Sequence, residues 1–173
     1  MKAGGKGGAR GGAAMLVVGW LIVLGLVYWY FYGFTERQTN PNRTPEVTAI
    51  GEVVLQRNRA GQFVASGAIN GAPVTFLLDT GATQIALPMS LAKRLNLEFG
   101  PPVQLQTAAG PSRGYATRLQ SVRLASIELK DIGALVAEGL DPDLVLLGMN
   151  FLRRLEMIQR GDELILRPPA PGK

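Results

Sequence analysis

The chain has 173 residues, with 18 Lys and Arg against 13 Asp and Glu, and neither Cys nor His. Those two zeros exclude disulfides, thiolate nucleophiles, Cys-based metal sites and catalysis of the Ser-His-Asp, Cys-His or H-E-x-x-H kind, so any chemistry must rest on carboxylates, Lys, Ser, Thr or Tyr. Lys2, Lys6 and Arg10 account for much of the +5 net charge, which leaves 15 basic and 13 acidic side chains in residues 35–173, a balance that does not suit a nucleic-acid binder.

Residues 1–12 form a Gly-rich leader whose three cations are read as cytoplasmic topology determinants rather than an RNA-binding element. Residues 13–34 follow, 22 positions without a charge that hold seven of the twelve aromatic residues. As a helix this stretch would extend about 33 Å, enough to cross a hydrocarbon core of about 30 Å. Its far end, Tyr28-Trp29-Tyr30-Phe31-Tyr32-Gly33-Phe34, suits the headgroup boundary. The expectation is a single transmembrane helix in the inner (cell) membrane. The N-terminus is expected in the cytoplasm and the C-terminal domain in the periplasm or outside the cell. A cleaved signal peptide is the competing reading, but the apolar run is long for one and its end offers no small-x-small cleavage site.

Residues 35–46 are polar, carry Pro41 and Pro45, and read as a tether. Beyond it the pattern turns to β. Residues 62–69 and 73–78 flank Asn70-Gly71, the favoured dipeptide of a tight hairpin. Further strand-length runs fall at 103–108, 115–124, 127–136, 144–147 and 163–166, punctuated by Gly110-Pro111 and Gly161-Asp162. Only two short helices are expected there, over 88–95 and 149–155. The domain is expected to span 47–167, with 168–173 a disordered tail, and no internal repeat is found.

One constellation carries chemistry. The apolar run Thr75-Phe76-Leu77-Leu78 ends in Asp79-Thr80-Gly81, followed by Ala82 and Thr83. Alone, this triplet reads as a turn in which Asp79 accepts backbone amides. It has a partner 67 to 69 residues downstream, Leu146-Leu147-Gly148, at the end of a second apolar run.

With both elements in register, the sequence resembles the retropepsin-like aspartic proteases, and more closely their membrane-anchored bacterial members. The resemblance covers about residues 50–167. It implies an all-β, half-barrel acid-protease fold with one or two short helices. It further implies that Asp79 is catalytic, that Thr80 braces the active-site loops of a dimer, and that Gly81, followed by Ala82, lets substrate approach. Leu146, Leu147 and Gly148 would pack beside the catalytic loop. A flap hairpin at Thr107-Ala108-Ala109-Gly110-Pro111 would close over a polypeptide substrate. Retroviral members often carry an Asp after D-T-G-A and an Arg after the second Gly, which pair; this chain has Thr83 and Met149 instead.

The chemistry of the residues agrees. Two carboxylates sharing one proton can hydrolyse an amide without His, Cys, metal or cofactor. Only one D-T-G is present, so a homodimer supplying Asp79 twice is expected. Ser90-Leu91-Ala92-Lys93 also fits S-x-x-K, but K-T-G and S-D-N are missing and the chain is too short for that fold. Arg57, Arg59, Arg153 and Arg154 are read as exposed charges. The competing function is an inactive membrane-anchored interaction module of the same fold, which would have no need of an intact Asp79-Thr80-Gly81.

Overall fold

The computed structural model describes residues 8–107 and 110–168. Contacts divide the chain at residues 38 and 39 into two units. The first is dominated by helix α1 (Gly8–Thr39). It is longer than the 22-residue stretch expected, taking in residues 8–12 of the leader and 35–39 of the tether. From residue 17 to residue 30 only apolar residues, glycine and Trp or Tyr rings stand at consecutive positions, so this part of the helix has no charged face. Those described from Met15 to Tyr30 are 46–79% exposed. The side chains described in α1 are those of Met15, residues 17–30, Gln38 and Thr39, and among the described residues no helix is long and apolar enough to cross a membrane.

Among its described residues the second unit holds eleven strands and two short helices. In chain order these are β1 (Glu46–Val47), β2 (Val53–Gln56), β3 (Val64–Ile69), β4 (Ala72–Leu78), β5 (Ile85–Pro88) and α2 (Met89–Arg94). Then come β6 (Pro102–Thr107), β7 (Gly110–Leu124), β8 (Ile127–Ala137), β9 (Leu144–Leu147), α3 (Met149–Leu152), β10 (Glu156–Arg160) and β11 (Glu163–Arg167). The expected β3–β4 hairpin is present. Asn70 and Gly71 have φ of 50° and 80°, the two positive values a type I′ turn requires. Helix α2 ends earlier than expected, because Asn96 takes a left-handed φ of 49° and its N–H and that of Leu97 bond back to Lys93 O and Ala92 O.

Two sheets result. Seven strands run in the order β3-β4-β9-β5-β8-β7-β6, and β3 also pairs with β7 through Ala68–Arg123 and Ile69–Val122. That seam closes six of the strands into a ring and leaves β6 outside it. The smaller sheet runs β1-β2-β11-β10. Phe76, Ile85, Leu87, Leu119 and Leu147 from the ring and Phe151 from α3 pack with Val53, Leu55, Leu164 and Leu166 from the small sheet into one core, all at most 3% exposed. Burying surfaces of this kind contributes about 25 cal/mol per Å².

Residues 40–46 depart from a free tether. Asn42 is 4% exposed; its Nδ2 donates to Val64 O (2.7 Å) and Gln56 O (2.8 Å), and its Oδ1 accepts from the Gln56 N–H (2.7 Å). The Asn40 amide adds a bond to Ser66 Oγ at 3.1 Å. A polar segment without periodicity is thus pinned by side-chain amides that complete the backbone bonding of β2 and β3.

Candidate active site

The site begins where two parallel strands stop together. Strands β4 and β9 pair from Thr75–Leu144 to Leu78–Leu147. The sequence places a carboxylate at one end, Asp79, and a glycine at the other, Gly148. The Asp79 N–H donates to Leu147 O at 3.2 Å, so the first residue after β4 is still held by β9. The chain then turns sharply, with the Ala82 N–H donating to Asp79 O (3.2 Å) and the Gly81 N–H to Asp79 Oδ1 (2.8 Å). One carboxylate oxygen is therefore fixed by the loop's own backbone. Asp79 is half-buried and Thr80 and Gly81 are exposed. A β-carbon at position 81 would stand 3.2 Å from Asp79 Oδ1, so glycine keeps the carboxylate uncrowded.

The loop is held from below by the start of α3. The Met149 N–H donates to Ala82 O (2.8 Å) and the Asn150 N–H to Thr83 O (3.0 Å). Gly148 permits this approach: a β-carbon there would lie 2.3 Å from Gln84 O and 2.8 Å from Ala82 O. The neighbouring face is apolar, because Leu146 pairs with Leu77 on one side and Ala86 on the other, and all three are half-buried. Asp79 thus opens beside a partly exposed aliphatic floor. Among the described residues no three or more Asp or Glu converge as metal ligands.

A family model described as "gag-polyprotein putative aspartyl protease" matches residues 65–154, a span that takes in both Asp79 and Gly148. A crystal structure of a retropepsin-like aspartic protease from Rickettsia conorii superposes with a TM-score of 0.57 at 33% identity, covering 67% of this chain and 89% of that one. The chain belongs to the retropepsin-like aspartic proteases. It is also 37% identical over 164 residues to an uncharacterized protein of a Sinorhizobium species, covering 86% of this chain and 70% of the relative. An uncharacterized Rickettsia prowazekii protein is 30% identical over 122 residues, and the match spans 52% of that relative's length.

Within this retropepsin-like domain, Asp79, Thr80, Gly81 and Ala82 form one loop, and Leu146, Leu147 and Gly148 lie against it. Thr107, Gly110 and Pro111 fall at the end of the β6–β7 hairpin, where Thr107 pairs with Gly110 and Gln106 with Pro111. Ala108 and Ala109 lie outside the described residues. The Thr83 and Met149 positions, which lack the charged pair common in retroviral members, are still joined to one loop–helix junction by backbone bonds.

Sequence reasoning missed Asn150. Its Oδ1 accepts from the Ile85 N–H (3.0 Å) and its Nδ2 donates to Gly133 O (2.7 Å), tying α3 to β5 and β8. The available signal was an amide directly after Gly148-Met149, in a segment otherwise apolar. Ser90 and Lys93 are exposed on α2, in keeping with a solvated face. Arg57 differs from the exposed charge expected: it is half-buried, with its guanidinium carbon 5.2 Å from the centre of the Phe63 ring.

Proposed function

We propose that the protein is a membrane-anchored aspartic endopeptidase that acts as a homodimer, each chain contributing one Asp79. The observation that carries this reading is the placement of a single, half-buried Asp79 on a loop fixed from two sides, by Leu147 O and by the α3 backbone. One such carboxylate is half of a general acid–base pair.

In the proposed reaction an ionised Asp79 takes a proton from water as the water oxygen bonds to the scissile carbonyl carbon. The partner's Asp79, protonated, gives its proton to the carbonyl oxygen. The resulting gem-diol collapses as the C–N bond breaks, with a proton passing to the leaving amine. The aliphatic floor of Leu77, Leu146 and Ala86 favours a polypeptide substrate with apolar side chains next to the scissile bond. Thr80 would brace the paired loops, and the β6–β7 hairpin would act as a flap over bound peptide.

Residues 13–34 are proposed as the membrane anchor, supported by 22 uncharged positions within one continuous helix and by three preceding cations. The domain would then lie on the periplasmic or extracytoplasmic side of the inner membrane. Confinement to a bilayer would raise the effective concentration of the two half-sites.

Peptide cleavage by the purified protein tests this reading. Asp79→Asn should lower turnover at least roughly hundredfold with unchanged unfolding behaviour, since the amide can still accept the Gly81 N–H. Chains of this variant added in excess to wild type should poison activity as heterodimers form. Specific activity unaffected by the substitution would end the proposal. If instead the wild type were fully active as a monomer, with specific activity independent of dilution and of added variant, the shared site would be ruled out.

A further inference from the structure

We propose that the substrates are themselves membrane-anchored polypeptides, cut in the extended stretch just outside their own apolar span. This inference rests on the anchored-endopeptidase reading above and names its substrate class from the place where the chain enters the folded domain.

The first observation is that little slack separates the apolar stretch from the domain. A free tether over residues 35–46 could extend by about 40 Å, at roughly 3.3–3.6 Å per residue. Instead helix α1 continues to Thr39, and Thr39 is already the first residue of the second unit. From Phe34 to Thr39 a helix rises only about 8 Å. The residues that follow are held by side-chain amides. Asn58 Nδ2 donates to Thr39 O at 3.0 Å and Asn40 Nδ2 to Ser66 Oγ at 3.1 Å, while Asn42 bonds to Gln56 and Val64. Release of the chain at this point would require several of these bonds to break together.

The second observation is that the chain enters at the end of the domain that carries Asp79. Asn58 also shapes the turn before β3, where its Oδ1 accepts from the Ala60 N–H (3.0 Å) and the Gln62 N–H (2.9 Å), and its own N–H donates to Gln62 O (2.8 Å). From that turn β3 runs away to Ile69, the chain reverses at Asn70-Gly71, and β4 returns beside it to Leu78. The Leu78 N–H then donates to Phe63 O at 3.0 Å, and Asp79 is the next residue. Thr39 and Asp79 are thus joined by a short run of hydrogen bonds through Asn58 and Phe63, with a path of no more than roughly 25 Å. The Asn70-Gly71 tip lies a strand's length off, about 20 Å by the rise of β4.

Reach follows from these two lengths. The path from Phe34 to Asp79 is at most about 35 Å, a distance that an extended polypeptide leaving the same bilayer covers in about ten residues. A freely diffusing polypeptide gains nothing from so short a path. A second anchored chain is confined to the same surface and presents its juxtamembrane stretch at the same height, which raises its effective concentration at the site.

The test uses the full chain in phosphatidylcholine vesicles. The probe is a model substrate with one apolar span, a helical Glu-Ala-Ala-Ala-Lys spacer of variable length, and one peptide cassette that the protein cleaves in detergent. Cleavage should be fast while the spacer is shorter than about 35 Å, and should fall at least roughly tenfold when about forty spacer residues hold the cassette about 60 Å from the bilayer. The cassette without its span should be cut at least roughly tenfold more slowly at equal concentration. A spacer of the same length inserted between Gln38 and Thr39 of the protein should leave cleavage of the free peptide in detergent unchanged and reverse the preference, favouring the long-spacer substrate. Cleavage indifferent to spacer length, or a detached cassette cut as fast as an anchored one, overturns the proposal and spares the peptidase. An inserted protein that keeps the wild-type preference also overturns it, because the entry point would then not set the height. If the inserted protein fails to fold, the spacer series with the wild type decides alone. A chain that does not float with the vesicles rejects the anchor, and failure to cleave any peptide in detergent rejects the peptidase.

Discussion

Gly148 sits against Gln84 with no room for a side chain: a β-carbon would fall 2.3 Å from the Gln84 carbonyl oxygen and 2.5 Å from its carbon. The obstruction is backbone, so it cannot rotate away. Gly148→Ala must push α3 from the loop that carries Asp79. The expected cost is about 1–3 kcal/mol of stability, read by urea unfolding, with a loss of activity beyond what stability alone explains. A variant as stable and as active as wild type would show that the junction is slack.

Asn150 offers a test with a pH signature. Asn150→Ala removes the partners of the Ile85 N–H and the Gly133 carbonyl and should cost about 2–4 kcal/mol. Asn150→Asp is the informative change. Ionised, it can serve Ile85 but faces Gly133 O with a carboxylate; protonated, it can serve both. The introduced acid should therefore have a raised folded-state pKa, and the variant should recover towards wild type as pH falls. Parallel unfolding curves for the two proteins at every pH would contradict this assignment.

Asn42 predicts where the folded domain begins. Asn42→Ala leaves the Gln56 N–H and the Val64 and Gln56 carbonyls without their amide and should cost about 2–4 kcal/mol. A soluble fragment starting at residue 39 should accordingly melt higher than one starting at residue 46. Equal melting temperatures would mean that the segment contributes nothing.

The Arg118–Asp131 pair supplies a contrast on the surface. A bidentate contact, with Nη2 2.7 Å from Oδ2, holds the Asp131 carboxyl below its ordinary range, chiefly through the hydrogen bond, while desolvation opposes the shift. A lowered folded-state pKa means stability that is present above the ordinary carboxylate value and lost as pH falls through the folded one. Arg118→Gln should therefore be slightly less stable than wild type at neutral pH, the gap closing below about pH 4 and shrinking in high salt. Both side chains are well exposed, so a large effect at any pH would be unexpected.

What the sequence disclosed was local. Asn70-Gly71 named its own turn because few residues accept two consecutive positive φ values, and residues 144–147 were delimited by the polar residues before them and the glycine after. The Asp79 loop was legible because it and the Leu146-Leu147-Gly148 element both lie at strand ends and repeat a known pairing. Strands β1, β2, β5 and β10 were not. Strand β5 ends in Pro88, which reads as the start of a helix, and β10 keeps only Met157 and Ile158 half-buried between polar residues. Asn42 and Asn150 escaped for a different reason. Each bonds backbone groups 14 to 65 positions away, and nothing in the neighbouring residues of an amide records such a distant partner.

Strand β7 is fifteen residues long and changes neighbours along its length. From Gly114 to Leu124 it is flanked by β8, and at Val122 and Arg123 it also meets β3. The Glu138 N–H reaches Arg113 O at 3.2 Å, so the support extends that far. The Ser112 hydroxyl donates to Glu138 O at 3.2 Å, and Pro111 and Gly110 pair with Gln106 and Thr107 of β6. The hairpin is thus a beam built into a wall at Ser112, with the Gln106–Pro111 and Thr107–Gly110 rungs beyond it. Its stiffness is fixed by that short reach, and any swing of the tip must be taken up at the wall, where Gly114 packs against Leu105 and the Val136 carbonyl too closely for a β-carbon.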